Sequence, residues 1–532
     1  MVSPPSAVFV FAALLLHFGE SAKVLVYSPS ISNSHLIMNG RLADTLVKAG
    51  HDVTVFIPEY DHTNTINGTK TARIVRMNGL SSAFEDAFED LDMFTSQTAS
   101  IWERMSFENA LVGMCDAIMV RKTELDVLKN HGFDVAFSEM VDFCGLGVIR
   151  YLGIMNHIWI STTPILDTVA YNLAVPTPLS YVPVVEENDL GTVMTFLGRA
   201  DNIRKYLISI FVHHYGTDKT TAIFRRHVSK DFPNVRQISS ESSLCFVNSD
   251  EFLDIAQPIL HKTVFVGGLG IGPAQPLKEP FASLMEKGKK GVVLMSLGTI
   301  VPTSAIPLET RRGIYAAFAN FSDYHFIVKV DKEDHESAEL VKRYSNINLI
   351  QWMPQADMLG HPRLTAFIMH GGFNGLLEAA IRGVPVIVVP FFADQFRNAR
   401  TAEYRGFGIA LQKQQFEGKN LAKALEQIIE NPSYKESALK ISKLIKTKPF
   451  KAEERFVEWT NFVIEHGRLT NLDVQGAKLS FVTYNNLDVI LVATLMTVVA
   501  IPLLAYTVYW FAACSYILFR RIFANGAKPK CE

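Results

Sequence analysis

The chain has few cysteines and no excess of charge of either sign. Its 532 residues include 5 cysteines, 51 lysines and arginines and 53 aspartates and glutamates, for a formal net charge of -2. Because a nucleic-acid-binding surface needs an excess of basic residues, no nucleic-acid partner is expected. Metal-ligand spacings such as Cys-x-x-Cys are also missing, so no metal site is expected. Internal repeats and low-complexity tracts are absent as well.

Long apolar runs are confined to the two ends of the chain. Residues 7–16 are apolar and lead into small residues, which predicts a signal peptide over residues 1–22, although no lysine or arginine precedes the run. Residues 489–519 are almost wholly apolar around Pro502, and about 20 helical residues suffice to cross a bilayer core. We therefore expect a single transmembrane helix over residues 489–519.

The charges after the second run predict its orientation. Arg520 and Arg521 follow at once, and the positive-inside rule places such a tail, residues 520–532, in the cytoplasm. Residues 528–532 contain two lysines that resemble the dilysine retrieval signal of endoplasmic-reticulum membrane proteins, with a solvated basic tail as the alternative. The chain is therefore expected to be a single-pass type I protein of the endoplasmic-reticulum membrane, with its main body in the lumen.

The main body carries two glycosylation motifs and three cysteines. N-glycosylation sequons begin at Asn67 and Asn320, which makes these the candidate glycosylation sites. The cysteines are Cys115, Cys144 and Cys245, an odd number at scattered positions. Such a set predicts no disulfide framework.

Strand-like and helix-like segments alternate along the body in two sets. Residues 23–28 and 52–57 are predicted strands on either side of an amphipathic helix over residues 34–49. Later strands of the first set fall at 133–138 and 157–160, and those of the second set at 244–248, 264–266, 291–296, 325–330, 347–350, 366–369 and 386–389. This alternation implies parallel sheets covered by helices on both faces.

The length of the chain exceeds what one hydrophobic core usually supports, so two α/β domains are expected. We predict an N-terminal Rossmann-like domain over residues 23–243 and a C-terminal one over residues 244–484. Residues 165–240 are less regular and are broken by prolines, which suits a variable pocket wall in the first domain.

Polar residues between positions 352 and 395 fall where strands end or helices begin. Open α/β sheets bind ligands at the carboxyl ends of their strands. His370 and the glycines that follow it, including Gly372, form a turn that feeds a helix, where backbone N–H groups and the helix dipole favour an anion. Glu378 lies one helical turn after Asn374, so both can face the same ligand. Hydrogen-bond donors suited to phosphate, followed by a carboxylate able to hold a ribose diol, predict a site for a nucleotide diphosphate.

This segment resembles the donor-binding signature of the UDP-glycosyltransferases, in particular the animal UDP-glucuronosyltransferase type. Each of its motifs alone is more often an ordinary loop anchor, turn or helix cap, but their joint order and spacing make the resemblance specific. One departure is Met369, where the family usually has Thr or Ser before the histidine; we expect Met369 to face the packed side of its strand.

The resemblance implies a GT-B architecture, with a helix over residues 451–465 that returns across the N-terminal domain. It also implies a role for each signature residue. Trp352 would stack on uracil, Gln355 would contact the base or ribose, Ser296, His370, Gly372 and Asn374 would hold the diphosphate, Glu378 would bind the ribose hydroxyls, and Asp394 and Gln395 would bind the sugar hydroxyls. The UDP-sugar is a co-substrate, so no cofactor is expected.

Glycosyl transfer to a hydroxyl needs a base that removes the acceptor proton. By the resemblance, that base is His35, which follows the first strand at the start of its helix; a simple helix-start histidine is the alternative. The family usually places an Asp after the strand at 133–138 to orient the imidazole, and the matching residue here is Glu139. Asp142 lies nearby and is a second candidate partner.

The resemblance favours an inverting enzyme that moves glucuronic acid or glucose from a UDP-sugar to a hydroxyl of a small lipophilic acceptor. A UDP-sugar epimerase or hydrolase of the same fold and a non-catalytic UDP-sugar-binding scaffold are the alternatives. Glucuronate-using relatives often carry an Arg where this chain has Gln257, which tilts the expectation toward glucose. The sequence leaves open whether the protein forms a homo-oligomer.

Overall fold

Two parallel β-sheets organise the body of the protein. The strands of the first sheet are β1 (Lys23–Tyr27), β2 (Asp52–Pro58), β3 (Arg73–Met77), β4 (Val135–Glu139), β5 (His157–Ser161), β6 (Cys245–Val247) and β7 (Thr263–Phe265). Those of the second are β8 (Gly291–Ser296), β9 (Tyr324–Lys329), β10 (Ile347–Ile350), β11 (Leu364–Met369), β12 (Val386–Val388) and β13 (Gly408–Ala410). Their orders are β3-β2-β1-β4-β5-β6-β7 and β10-β9-β8-β11-β12-β13. The expected pair of α/β domains with parallel sheets is confirmed.

The computed structural model describes residues 21–89, 94 and 98–524. The predicted signal peptide therefore lies outside the described residues except for its last two positions. The predicted retrieval motif at 528–532 lies wholly outside them.

Helices connect the strands and cover both sheets. Those around the first sheet are α1 (Asn33–Lys48), α2 (Ala83–Glu89), α3 (Ile101–Val120), α4 (Asp126–Lys129), α5 (Cys144–Tyr151), α6 (Asp167–Leu173), α7 (Phe196–His227) and α8 (Val235–Ser240). Next along the chain are α9 (Phe281–Met285), α10 (Leu308–Ala319), α11 (His335–Val341), α12 (Gln355–Met358), α13 (Phe373–Arg382), α14 (Gln395–Tyr404), α15 (Gly418–Glu430), α16 (Pro432–Thr447) and α17 (Ala452–His466). The C-terminal part holds α18 (Phe481–Tyr484) and α19 (Leu487–Ala524).

The central strand of the first sheet shows why these apolar runs form parallel sheets. Four successive residues of β1, from Val24 to Tyr27, are fully buried. Leu25 and Tyr27 pack into the core on one face, and Val24 and Val26 pack into the core on the other. A strand covered on both faces reads as a continuous apolar run because alternate side chains enter two different cores.

The predicted boundary between the domains at residues 243 and 244 is wrong. β6 and β7 extend the first sheet through parallel pairing with β5, so the first domain runs past Phe265. Helix α17 also returns to this domain, as expected, and buries Phe456 and Val463 in its core. The apolar pattern of a buried parallel strand is the same in either sheet, so it cannot tell which sheet the strand joins.

The expectation that residues 165–240 are less regular is wrong for residues 196–227, which form the single 32-residue helix α7. Its buried face is built largely from small and polar residues, among them Gly216 and three threonines. Thr217, Thr220 and Thr221 each donate a hydrogen bond to a carbonyl of the preceding turn, so their hydroxyls can be buried. A helix with this composition lacks the apolar period that reveals most helices.

A disulfide joins Cys115 of α3 to Cys144 at the start of α5, contrary to the expectation of no disulfide framework. Their Cα atoms are 5.5 Å apart, which is ordinary disulfide geometry. Cys245, in β6, is buried and free, which accounts for the odd number. The pairing depends on the approach of two helices and has no signature in the spacing of the cysteines.

The C-terminal part of the chain is dominated by one long apolar helix. Helix α19 has 38 residues and contains Pro502. The predicted run at 489–519 lies within it, and its large apolar side chains are exposed. At 1.5 Å per residue the helix is longer than the roughly 30 Å of a bilayer core. Length and composition therefore allow it to cross a membrane.

Candidate active site

His35 and Glu139 meet at the carboxyl ends of two neighbouring strands. Helix α1 begins after β1, and the side chain of its N-cap residue, Ser32, accepts a hydrogen bond from the backbone N–H of His35. Glu139 is the last residue of β4, which pairs directly with β1. Nδ1 of His35 lies 3.0 Å from Oε1 of Glu139. The contact expected between these two side chains is therefore present.

The carboxylate of Glu139 is held in place from several sides. Its side chain is fully buried. The Thr162 hydroxyl donates to Oε1 at 2.8 Å, and the backbone N–H of Val141 donates to Oε2 at 3.2 Å. A carboxylate in this position accepts the Nδ1–H of His35 and thereby leaves Nε2 without the proton. Sequence reasoning missed Thr162, whose only sign is its position just after β5, the next strand of the sheet.

Asp142, the second candidate partner, does not contact His35. Its Oδ2 accepts hydrogen bonds from the hydroxyls of Tyr27 at 2.7 Å and Tyr60 at 2.6 Å, and its Oδ1 accepts from the backbone N–H of Cys144. Burial raises the pKa of Asp142 to about 6, although these three donors oppose the shift. Asp142 is therefore part of a buried tyrosine cluster beside the pair of His35 and Glu139, which is called the dyad below.

The surroundings of His35 favour its protonated form. Burial acts to lower the pKa of His35, but the negative charges of Glu139 and Asp394 and the hydrogen bond that His35 donates to Glu139 outweigh it, so the pKa lies above its ordinary value. Asp394 belongs to the second domain, at the start of α14. Asn374, also of the second domain, lies 3.4 Å from the carbonyl oxygen of Ser34, the residue before His35, so the two domains meet at this histidine.

Asp394 and Gln395 differ in how far their side chains are already occupied. Burial raises the pKa of Asp394 to about 6, and a 2.8 Å hydrogen bond from Asn398 opposes the shift. Gln395 is buried, and its Oε1 accepts the backbone N–H of Phe391 at 2.9 Å. Asp394 thus presents a carboxyl group beside His35. The side chain of Gln395 instead stabilises the loop before α14 through its hydrogen bond with Phe391.

Ser296 and His370 lie side by side because β8 and β11 are neighbours, with Ser296 in register with Met369. Burial and the nearby Lys329 lower the pKa of His370 to about 4, so the imidazole is neutral at physiological pH. Met369 is buried in the core, as expected. Ser296 and His370 are therefore the predicted diphosphate contacts that stand at the carboxyl end of the second sheet.

Two glycines make room for the His370 ring. A Cβ on Gly298 would lie 2.7 Å from Cε1 of His370, and one on Gly372 would lie 2.5 Å from Nε2. Gly298 also has φ +84°, which favours glycine. The ring is thus held between two glycine backbones, and its neutral N–H can act as a hydrogen-bond donor.

Lys329 is a cation near His370 that the sequence analysis did not identify. It ends β9, the strand beside β8, and its Nζ donates to the carbonyl of Gly298 at 2.7 Å. Burial lowers the pKa of Lys329. The signal was available, since a lysine at the carboxyl end of a predicted neighbouring strand stands at the ligand edge of the sheet.

Trp352, Gln355 and Glu378 form a second group at the same edge. The Trp352 side chain is exposed, with 67% of the residue accessible, and its ring meets Phe281 edge-on at 6.0 Å. Nε2 of Gln355 donates to Oε2 of Glu378 at 3.0 Å. The tryptophan ring is therefore open for stacking, and the carboxylate is oriented by the glutamine.

Residues of the first domain reach across the cleft to this group. Arg41 of α1 donates to Oε1 of Glu378 at 3.0 Å. Asn248 donates to Oδ1 of Asn374 at 2.7 Å, and Nδ2 of Asn374 is 3.4 Å from the carbonyl oxygen of Ser34. The sequence gives no sign of Arg41 or Asn248 because the contacts join residues more than 120 positions apart.

A cavity of about 260 Å³ opens next to the dyad. Met140 and Val141, which follow Glu139, form part of its wall, and Phe392 and Ala393 of the second domain close it from the other side. Most of the remaining wall comes from α3 and from the segment 166–213, so part of the region expected to form a pocket wall does line this cavity.

The two sequons lie on the surface. Asn67 and Asn320 are both exposed. Asn67 accepts a hydrogen bond from Arg76 at 3.1 Å, and Asn320 follows the last turn of α10. Both side chains are therefore accessible for modification.

Comparison with known proteins agrees with this geometry. The family described as "UDP-glucoronosyl and UDP-glucosyl transferase" matches residues 22–523. "Putative UDP-glucuronosyltransferase ugt-48" of Caenorhabditis elegans is 36% identical over 499 residues, covering 92% of this chain and 94% of that protein. "UDP-glucuronosyltransferase 3A2" of Homo sapiens is 29% identical over 479 residues, covering 87% and 88%.

Among solved structures, CalG4, the calicheamicin glycosyltransferase, superposes with a TM-score of 0.56 at 17% identity, covering 84% of this chain and 99% of that one. The glycotransferase of kitacinnamycin gives a TM-score of 0.58 at 19% identity, covering 84% and 99%. These likenesses show the GT-B fold. With the family match over nearly the whole chain, they identify the protein as a member of the UDP-glucuronosyl and UDP-glucosyl transferase family and as a UDP-glycosyltransferase.

Proposed function

We propose that the enzyme transfers glucuronic acid or glucose from a UDP-sugar to a hydroxyl of a small lipophilic acceptor, with inversion at the anomeric carbon. Nε2 of His35 removes the acceptor proton, the acceptor oxygen attacks the anomeric carbon, and the bond from that carbon to the phosphate oxygen breaks to release UDP. The observation that carries the proposal is the 3.0 Å contact of His35 with the buried Glu139, which directly precedes Met140 and Val141 in the wall of the cavity.

Glu139 acts through His35. By accepting the Nδ1–H it fixes the tautomer in which Nε2 is the base, and its negative charge stabilises the imidazolium that forms. Asp394 approaches from the second domain and would bind the sugar hydroxyls, with Gln395 beside it. The relatives named as UDP-glucuronosyltransferases support this reaction class.

The donor nucleotide would lie along the carboxyl edge of the second sheet. Its diphosphate would contact Ser296, His370, Gly372 and Asn374, with Lys329 as an added cation. Its ribose would bind Glu378, and its uracil would contact Trp352 and Gln355. A neutral His370 fits this role, because an imidazole N–H donates a hydrogen bond to phosphate without needing a charge.

Glucuronate and glucose are the two donor candidates, and Gln257 in place of the arginine of many glucuronate-using relatives favours glucose. A competition assay that offers both UDP-sugars to the same enzyme and measures the two products distinguishes them. Preferred transfer of glucuronate would contradict the inference from Gln257.

We further propose a single-pass type I topology in the endoplasmic-reticulum membrane, with the catalytic domains in the lumen. The Cys115–Cys144 disulfide supports an oxidising compartment, and the exposed Asn67 and Asn320 are accessible to glycosylation there. Protease protection of the body in sealed microsomes, together with glycosidase-sensitive mobility, tests this topology. Digestion of the body without detergent would contradict it.

The test of the reaction is UDP release with and without a phenolic acceptor. A transferase releases UDP only when the acceptor is present, whereas a hydrolase releases it without one. His35→Ala should lower kcat by at least about 10²-fold, the usual contribution of a positioned base, while the Kd for UDP stays nearly unchanged. A His35→Ala variant that keeps more than about a tenth of the wild-type kcat would show that His35 is not the base.

A further inference from the structure

The cavity beside the dyad combines an apolar wall with several acidic groups. Phe107, Leu111, Phe143, Leu166 and Val212 contribute apolar surface. Four glutamates also line the cavity, but Arg104 is the one lysine or arginine among its lining residues in the described part of the chain. The wall therefore carries more acidic than basic groups.

Three of these glutamates already have partners. Glu103 accepts the backbone N–H of Ser100 at the start of α3. Glu186 forms an ion pair with Arg104 at 2.6 Å, which uses the guanidinium of the wall. Glu187 accepts two backbone N–H groups, those of Ala99 and Ala393.

Glu108 is different. Within residues 21–89, 94 and 98–524, its carboxyl group has no hydrogen-bond or ion-pair partner. It extends from α3 over Gly216 of α7, where a Cβ would collide with its Oε2. The lack of a side chain at Gly216 thus makes the space in which this carboxyl group faces the cavity.

The electrostatic surroundings of Glu108 are negative. Burial and the charges of Glu186 and Asp142 together raise the pKa of Glu108 to about 8, against the opposing charge of Arg104. His213 also lines the cavity, but burial lowers its pKa well below the ordinary value, so it supplies no positive charge. A pKa of about 8 leaves Glu108 mostly protonated at pH 7.5, and a positive charge on a bound molecule would favour its ionised form.

We propose that the cavity takes hydroxylated aromatic acceptors that carry a basic nitrogen, and that Glu108 determines this specificity by pairing with the ammonium group. The proposal rests on the function proposed above, since it assigns the cavity to the acceptor. A charge-assisted hydrogen bond in a desolvated wall is stronger than its counterpart in water. The aromatic rings of Phe107 and Phe143 offer further favourable contacts to a cation.

Three phenols of similar size test the proposal on the full-length enzyme: 4-(2-aminoethyl)phenol, 4-propylphenol and 3-(4-hydroxyphenyl)propanoate. At pH 7.5 we expect kcat/KM to be highest for the amine and lowest for the carboxylate. Glu108→Gln should lower kcat/KM for the amine by roughly 10- to 100-fold, as expected for loss of a hydrogen bond to a charged group, and should change it less than about twofold for 4-propylphenol. Asp116→Asn, on the same helix but outside the cavity, should retain the wild-type preference.

Binding of the same phenols to the UDP-saturated enzyme provides a readout that does not need turnover. If none of the phenols is glycosylated, the proposed function fails, and the Kd values alone decide whether Glu108 selects the amine. Equal affinity of the wild type for the amine and 4-propylphenol would overturn the proposal. An equal loss of both in a folded Glu108→Gln variant would do the same, because it would show that Glu108 shapes the cavity without reading charge.

Discussion

At the scale of single residues, the contact between His35 and Glu139 predicts how activity depends on pH. The base works only when unprotonated, so kcat/KM should rise as pH rises through the pKa of His35. Because Glu139 and Asp394 hold that pKa above 6.5 against the effect of burial, the rise should be centred above pH 6.5. Glu139→Gln removes the charge, so the rise should move to lower pH. The same change should reduce kcat by roughly 10⁴-fold, since the tautomer is no longer fixed.

Asp142→Asn is the comparison for this pH profile. Asp142 contacts Tyr27 and Tyr60, so its neutralisation should move the rise far less than Glu139→Gln does. A profile that shifts in Asp142→Asn but not in Glu139→Gln would show that the two carboxylates have been assigned the wrong way round.

Lys329 predicts a separation between phosphate and base recognition. Its ammonium group donates a hydrogen bond to the carbonyl of Gly298, which follows two residues after Ser296, the last residue of β8. Lys329→Met should weaken UDP binding by roughly 10- to 100-fold, the range for losing a hydrogen bond to a charged group, and should leave uridine binding nearly unchanged. Calorimetry with both ligands checks this, with the exposed Lys332→Met as the control. Equal losses for UDP and uridine would point to a general disturbance of the sheet edge.

At the scale of secondary-structure elements, the sequence predicted best what depends on local pattern. The strand at 291–296 and the strand at 347–350 have the predicted bounds, and the dyad residue Glu139 ends β4. The site residues could be predicted because they follow such strands along the edge where parallel sheets bind ligands. Helix α7 was not predicted because its buried face is rich in small and polar residues, three of them threonines, which carry no apolar period.

The turn between β11 and α13 gives the element-scale prediction. A Cβ on Gly372 would lie 2.5 Å from Nε2 of His370. Gly372→Ala should therefore displace the imidazole and weaken UDP binding. The free energy of unfolding should fall by only about 1–3 kcal/mol, the usual cost of overpacking. Gly191→Ala is the matched control, because a Cβ there meets nothing within 4 Å. Unchanged UDP affinity in Gly372→Ala would mean that His370 does not contact the nucleotide.

At the scale of the whole molecule, contacts between the domains were beyond prediction from the sequence. Glu187 and Ala393 illustrate this, because each has a φ of 54° and the Glu187 N–H donates to the Ala393 carbonyl at 3.0 Å across the cleft. Non-glycine residues rarely adopt such angles, so the surrounding structure must hold them there. The assignment of β6 and β7 to the first sheet is a second case, because strand pairing over long separations leaves no local pattern.

The ion pair between Arg41 and Glu378 provides the prediction at this scale. Glu378 is the residue proposed to bind the ribose hydroxyls, yet here Arg41 occupies its Oε1 and Gln355 occupies its Oε2. If the ribose replaces Arg41, Arg41→Met should raise UDP affinity, because the nucleotide no longer competes with the ion pair. The ion pair is partly exposed, so the binding free energy of UDP should improve by about 0.5–1 kcal/mol, which lowers the Kd by roughly two- to fivefold.

The matched control for Arg41→Met is Arg73→Met, which removes an exposed ion pair with Asp52 inside the first domain and should leave the Kd for UDP unchanged. Increasing salt should narrow the difference in Kd for UDP between wild type and Arg41→Met, because screening weakens the ion pair of Arg41 with Glu378. A lower UDP affinity in Arg41→Met would reverse the conclusion. It would mean that Arg41 stays in the complex and binds the nucleotide itself, so that the first domain helps to hold the donor as well as the acceptor.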